Sequence, residues 1–235
     1  MTYENMVRGR FLSRPNRFIA LCEVQGRQER CHVKNTGRCR ELLLPGTEVW
    51  LQHHDSPGRK TAYSLIQAEK GGRLVNLDSQ APNHIFKEGL LNGVITLPGM
   101  EGPFDRIRPE TVFEDSRFDF YLEAGSRRAF VEVKGVTLEE DGVARFPDAP
   151  TERGVKHLRG LARARQQGYL AYAVFIVQME GVRLLCPNDR THPQFGQALR
   201  QGAEEGVIPL AWSCRVEPGR VEALVPVRVC LEAEG

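Results

Sequence analysis

The chain has 235 residues, of which 41% are hydrophobic and 26% charged, with a formal net charge of +2. That length supports one large or two small cores, and the composition excludes an intrinsically disordered chain. No apolar run approaches the roughly 18 residues of a membrane helix, and Met1-Thr2-Tyr3-Glu4-Asn5 lacks the plan of a signal peptide, so the expected location is the cytoplasm with no membrane partner.

The first third reads as all-β. Candidate strands are Val7–Leu12, Arg17–Val24, Glu29–Lys34, Glu48–His53, Thr61–Glu69 and Arg73–Asn76. Each is short and bounded by turn signals such as Gly26, Pro45-Gly46, Pro57-Gly58 and Gly71-Gly72. Such spacing predicts a small OB-like β-barrel over residues 1–80. The charge is uneven. Residues 1–40 hold nine Arg or Lys against Glu4, Glu23 and Glu29; nine less three is +6, so the other 195 residues carry −4. A basic barrel on a mildly acidic chain points to a polyanion, nucleic acid above all, with Arg14, Arg17, Lys34 and Arg38 as contacts. The six cysteines form no CxxC pair and read as small reduced thiols, not zinc ligands. His53-His54-Asp55 reads as a solvated loop.

Residues 81–235 change character. His84–Leu91 predicts a short helix capped by Asn83. A hairpin follows, Arg117–Leu122 and Ala129–Lys134, around Gly125-Ser126, which suits a type II′ turn. Strand alternation puts Phe118, Phe120 and Leu122 on one face and Asp119 on the other. It likewise separates Val131 and Val133 from Glu132 and Lys134. Counting from the turn sets Asp119 across from Glu132. Facing carboxylates repel, and a divalent cation would relieve them, with Lys134 steadying a water or a developing charge. The same charges also suit a plain wet face of an antiparallel hairpin.

Thr151–Gln167 predicts a helix with Thr151 as N-cap, an apolar stripe of Val155, Leu158, Leu161 and Ala162, and a stop at Gly168. Arg153, Lys156 and Arg163 share another side, with His157 adjacent; Lys156 and His157 read as phosphate contacts. Asp148 and Glu152 read either as helix-start acids or, for Asp148, as site residues. Ala171–Val177 reads as a strand covered on both faces. Pro193–Glu205 predicts a helix and Val207–Cys214 a strand. The C-terminal part is therefore expected to be a mixed-sheet α/β domain.

These motifs resemble the PD-(D/E)xK nuclease superfamily and, more narrowly, the sugar fermentation stimulation protein family, SfsA. The resemblance rests on Asn35-Thr36-Gly37, Ser116–Phe120, Phe130–Leu138 and Phe146–Leu158, in order along nearly the whole chain. It implies a bacterial two-domain α/β (α+β) protein, with an OB-like barrel and a restriction-endonuclease-like domain. It implies DNA binding without marked sequence preference and a regulatory role in sugar (maltose) metabolism. Asp119 and Glu132 are implied as ligands of Mg²⁺ or Mn²⁺, with Lys134 beside the attacked phosphate and Glu88 as the helix acid that completes such sites. Arg117, Arg153, Lys156, His157 and Arg163 join the expected DNA surface. Two functions stay open at this point: a metal-dependent deoxyribonuclease, and a non-catalytic DNA-binding regulator on the same scaffold. A carbohydrate-cleaving enzyme ranks below both. The oligomeric state is open, a dimer included.

Overall fold

The structure is a computed structural model and describes residues 1–35, 37–55 and 58–232. Thr36 of the Asn-Thr-Gly motif and Pro57 of one expected turn lie outside the described residues.

Five strands close the N-terminal barrel: β1 (Met6–Asn16), β2 (Ile19–Val24), β3 (Arg27–Val33), β4 (Glu48–His53) and β5 (Tyr63–Lys70). Their order is β3-β2-β1-β4-β5, and a parallel β3–β5 pairing completes the ring. Alternation fills the interior, with Ala20, Cys22 and Val24 of β2 meeting Cys31 and Val33 of β3. All six cysteines are free thiols, and five are buried. Strand β6 (Arg73–Asn76) extends β5 toward the second sheet.

The C-terminal sheet has nine strands. Helix α1 (Ala81–Leu91) precedes β7 (Arg106–Phe113), β8 (Ser116–Ala124) and β9 (Arg127–Val136), followed by the short β10 (Glu139–Glu140) and β11 (Val143–Phe146). Helix α2 (Glu152–Gln166), β12 (Leu170–Val177), β13 (Leu184–Pro187), α3 (Pro193–Glu204), β14 (Ile208–Glu217) and β15 (Arg220–Val229) complete the chain. The sheet order is β10-β11-β13-β15-β14-β12-β9-β8-β7. Strand β12 lies in the interior of the sheet, parallel to both β9 and β14, and is almost wholly buried, as its unbroken apolar run requires. Phe86 and Ile85 of α1 cover one face with Val131, Tyr172 and Ile176. Val155, Leu158 and Leu161 of α2 cover the other with Phe130 and Phe175.

The β8–β9 turn has Ala124 paired with Arg127 and Gly125 at φ 58°, while Ser126 keeps a negative φ, the sign pattern of a type II′ turn. Helix α2 starts as expected: Thr151 Oγ1 accepts the Gly154 N–H at 3.1 Å. Helix α1 does not. It begins at Ala81 with Pro82 in its first turn, so Asn83 lies inside the helix and its side chain is released from capping.

The two parts dock through polar ties. Gln67 Nε2 donates to the Glu217 carbonyl at 2.9 Å, and Asn76 Nδ2 to Gln178 Oε1 at 2.7 Å. Buried Glu139 accepts from Lys70 at 3.1 Å and pairs with Arg73.

Candidate active site

Strand alternation breaks at Asp119. The rungs of β8–β9 run from Ala124↔Arg127 to Phe120↔Val131 and stop one step short of Asp119 and Glu132. On the other side, β7–β8 skips the same point, between Pro109↔Phe120 and Thr111↔Phe118, where Glu110 has φ 53°. Phe120 packs on Phe86 of α1, ring centroids 5.1 Å apart. Phe118 instead packs on Phe130 at 5.4 Å and meets the edge of His157 on the α2 side. The expectation that Phe118 and Phe120 share a face is corrected: the kink turns them to opposite faces. It also frees the Asp119 carboxylate from a regular strand position. Asp119 Oδ2 accepts the Val133 N–H at 2.8 Å, and Oδ1 accepts Asn83 Nδ2 at 3.0 Å.

Glu132 is buried, with 4% of its surface exposed. Its Oε1 accepts from both Lys134 Nζ and His157 Nδ1. Its Oε2 is also buried and, among the described residues, has no hydrogen-bond partner. His157 reaches Glu132 because α2 lies close on β8: a Cβ added at Gly160 would come within 2.8 Å of Ser116 Oγ. Behind it, Arg153 Nε donates to His157 Nε2 at 3.4 Å. An arginine N–H can only donate, so Nε2 is the accepting nitrogen and Nδ1 carries the proton toward Glu132.

The two carboxyls are electrostatically coupled but pushed in opposite directions. Burial and then the Glu132 charge raise the Asp119 pKa, only partly offset by Val133 N–H and Asn83. Burial alone would raise Glu132 too, but the His157 bond and the Lys134 charge outweigh it and hold Glu132 below its ordinary value.

Other expected site residues lie elsewhere. Glu88 accepts the Met1 ammonium at 2.6 Å in an exposed pair, and the group that α1 offers to Asp119 is Asn83. His157 is buried and bonded to Glu132, not exposed as a surface contact would be. Three expected contacts are paired with acids: Arg117 with Glu110 at 2.9 Å, Lys156 with Asp115 at 3.3 Å, and Arg163 with Glu114 at 2.8 Å and Asp115 at 2.6 Å. Lys34 bonds buried Asp78 at 3.1 Å. Arg14 donates to four main-chain carbonyls, those of Arg17, Asn35, Gly37 and Arg38, at 2.6–2.9 Å. Arg17 and Arg38 are exposed and, among the described residues, pair with no acid. Asp148 is an interdomain tie whose Oδ2 accepts the Arg38 N–H at 3.2 Å. Among the described residues no group of three or more His, Cys, Asp or Glu is arranged to hold a metal.

A five-stranded OB-type barrel joined to this mixed sheet defines an OB-plus-restriction-endonuclease-like protein. The chain belongs to the sugar fermentation stimulation protein family, whose RE domain matches residues 80–220 and whose N-terminal OB domain matches residues 12–77. A homolog from Desulfitobacterium hafniense is 56% identical over 95% of both chains. One from Clostridium beijerinckii is 48% identical over 92% of this chain and 94% of its own. The structure of Pyrococcus furiosus SfsA in complex with Ca²⁺ superimposes with a TM-score of 0.87, at 29% identity over 97% of each chain.

Proposed function

We propose that this chain is a divalent-cation-dependent phosphodiesterase acting on nucleic acid, DNA foremost. The observation that carries this reading is Glu132 Oε2, a buried carboxylate oxygen with no partner among the described residues, whose charge acts on Asp119. Leaving such a group bare costs on the order of 1–3 kcal/mol, which a coordinated ion would offset. Asp119 and Glu132 would hold Mg²⁺ or Mn²⁺; both offer the oxygen donors that hard cations take, and Mg²⁺ keeps several waters where protein ligands are few. The Ca²⁺ complex of the Pyrococcus furiosus relative supports the same choice. Bound there, the cation would neutralise phosphate charge and supply a more acidic water.

The remaining chemistry belongs to side chains. His157 and Asn83 fix the two carboxylates from opposite faces of the sheet. Lys134, about one-fifth exposed, stands beside Glu132 to steady negative charge on a reacting phosphate oxygen. In this reading an influence on sugar use runs through nucleic acid.

A second reading, a DNA-binding regulator without turnover, is favoured by the Lys134–Glu132 pair, which occupies the lysine internally. Incubation of the purified protein with DNA and Mg²⁺ or Mn²⁺, beside an Asp119→Ala control, decides between them. Cleavage by the wild type and none by the variant supports the enzyme. Binding with no cleavage under either ion selects the regulator.

A further inference from the structure

We infer that the arginine-lined pocket on the barrel is a binding site for single-stranded nucleic acid, with Phe18 as the platform on which a base stacks. This deepens the nucleic-acid reading above and rests on it, but does not depend on cleavage. The pocket is a cavity of about 320 Å³ between the β1–β2 turn and the loop after β3, at the lower end of the range for small-ligand sites. Arg17, Arg38 and Arg40 border it, exposed and without an acidic partner among the described residues. Lys156 and Arg163 of α2 are, by contrast, neutralised by Glu114 and Asp115.

Phe18 is 45% exposed and belongs to neither core cluster. Its backbone is pinned. Asn16 Oδ1 accepts the N–H groups of Phe18 at 2.9 Å and Ile19 at 3.1 Å, and the Phe18 carbonyl accepts Val33 N–H at 2.8 Å. Arg17 stands 4.8 Å from the ring centroid. Arg14 ties the Arg17 carbonyl of the turn to the carbonyls of Asn35, Gly37 and Arg38 in the loop, so the pocket is formed before a ligand arrives. An exposed aromatic ring on a pinned backbone, beside the pocket and touching one of its bordering arginines, Arg17, matches the recognition of unstacked bases along a phosphate chain. A duplex offers the same phosphates but keeps its base faces in the stack.

The pocket also adjoins an interdomain cavity on the side of the candidate active site. Gly37 lines it, the main-chain N–H of the next residue, Arg38, donates to Asp148, and Asp148 with Asn35 lines an interdomain cavity that Gly135, the neighbour of Lys134, also borders.

Fluorescence anisotropy in EDTA tests the assignment, using the full chain, a labelled oligothymidylate of about 12 nucleotides and a mixed-sequence duplex of equal length. The single strand should bind more tightly. Phe18→Ala should weaken it about ten-fold while moving duplex affinity by less than about two-fold. Phe18→Tyr should keep near-wild-type affinity, and an unchanged melting temperature shows that the variants are folded. Equal losses on both forms, or none on either, overturn the assignment while leaving the nucleic-acid reading intact. So does displacement of the oligonucleotide by inorganic tripolyphosphate at the same charge concentration, which marks a plain anion site. Absence of binding to any nucleic acid defeats both readings.

Discussion

The Val133 N–H donates to the Asp119 carboxylate at 2.8 Å, just beyond the last rung of the β8–β9 ladder. One side chain thus satisfies a main-chain donor where the strands part. The raised pKa of Asp119 has a stability consequence. The folded protein holds this proton more tightly than the unfolded chain, so stability falls as pH rises through the folded value, and the ionised group is a fixed penalty at neutral pH. Asp119→Asn should raise the metal-free melting temperature at pH 7 by ~2–4 °C, the size of a change of about 1 kcal/mol in a chain of this length. The same variant should lose cation binding by calorimetry. In the wild type, cation affinity should weaken as pH drops through the Asp119 transition.

His157→Ala removes one of the two donors to buried Glu132. Removing a hydrogen-bond donor to a buried carboxylate costs on the order of 1–3 kcal/mol, so the metal-free protein should show a lower denaturant midpoint with an unchanged slope. His157→Asn places a donor near the same position as Nδ1 and should recover more than half of the loss. If His157→Ala is neutral in stability, the imidazole does not hold Glu132.

Glu139 gives a pH dependence of the opposite sign. Burial alone would raise its pKa, but the Gly142 N–H, Arg73 and Lys70 outweigh burial and bring it from 4.5 to about 2. Its stabilising contribution is complete above about pH 4.5 and is lost as pH falls toward about 2. Solvent screening of the pair trims the full linkage value to on the order of 1–2 kcal/mol. Glu139→Gln should therefore lower stability at neutral pH and flatten the acid limb of the melting curve. Because Lys70 and Arg73 belong to the barrel side, hydrogen exchange should rise at this junction.

Arg14 is a scaffold for the arginine pocket, not a surface contact. Arg14→Ala bares four carbonyls and should destabilise the barrel by about 2 kcal/mol, read by chemical denaturation. Arg17→Ala and Arg38→Ala should leave stability within about 0.5 kcal/mol and reduce only nucleic-acid affinity and its salt slope.

Local signals made much of this legible. Short strand-like runs bounded by glycine and proline turns outlined the barrel, the Gly125-Ser126 turn fixed the hairpin register, and Thr151 marked the start of α2. The apolar run at 171–177 announced the interior strand. What escaped depends on distant partners. The kink at Asp119 comes from two ladders failing together, so neither the split of Phe118 from Phe120 nor the role of Asn83 can be read from alternation. The acids that pair with Lys156 and Arg163 sit in the β7–β8 turn, far off in sequence. For His157 a local signal existed: it lies three residues after Gly154 and four before Leu161, on the buried stripe of α2. Strand β7, mostly exposed and interrupted by Pro109, carries too weak a pattern to be found alone.

The central claim is that Asp119 and Glu132 together hold a catalytic divalent cation. Anomalous diffraction from crystals of this protein soaked in Mn²⁺ tests it most directly. The account predicts a peak bonded to Glu132 Oε2 and to an Asp119 oxygen at about 2.0–2.2 Å, with the Lys134 ammonium on the same side. A peak elsewhere, or none at saturating Mn²⁺ with both carboxylates unmoved, would contradict it.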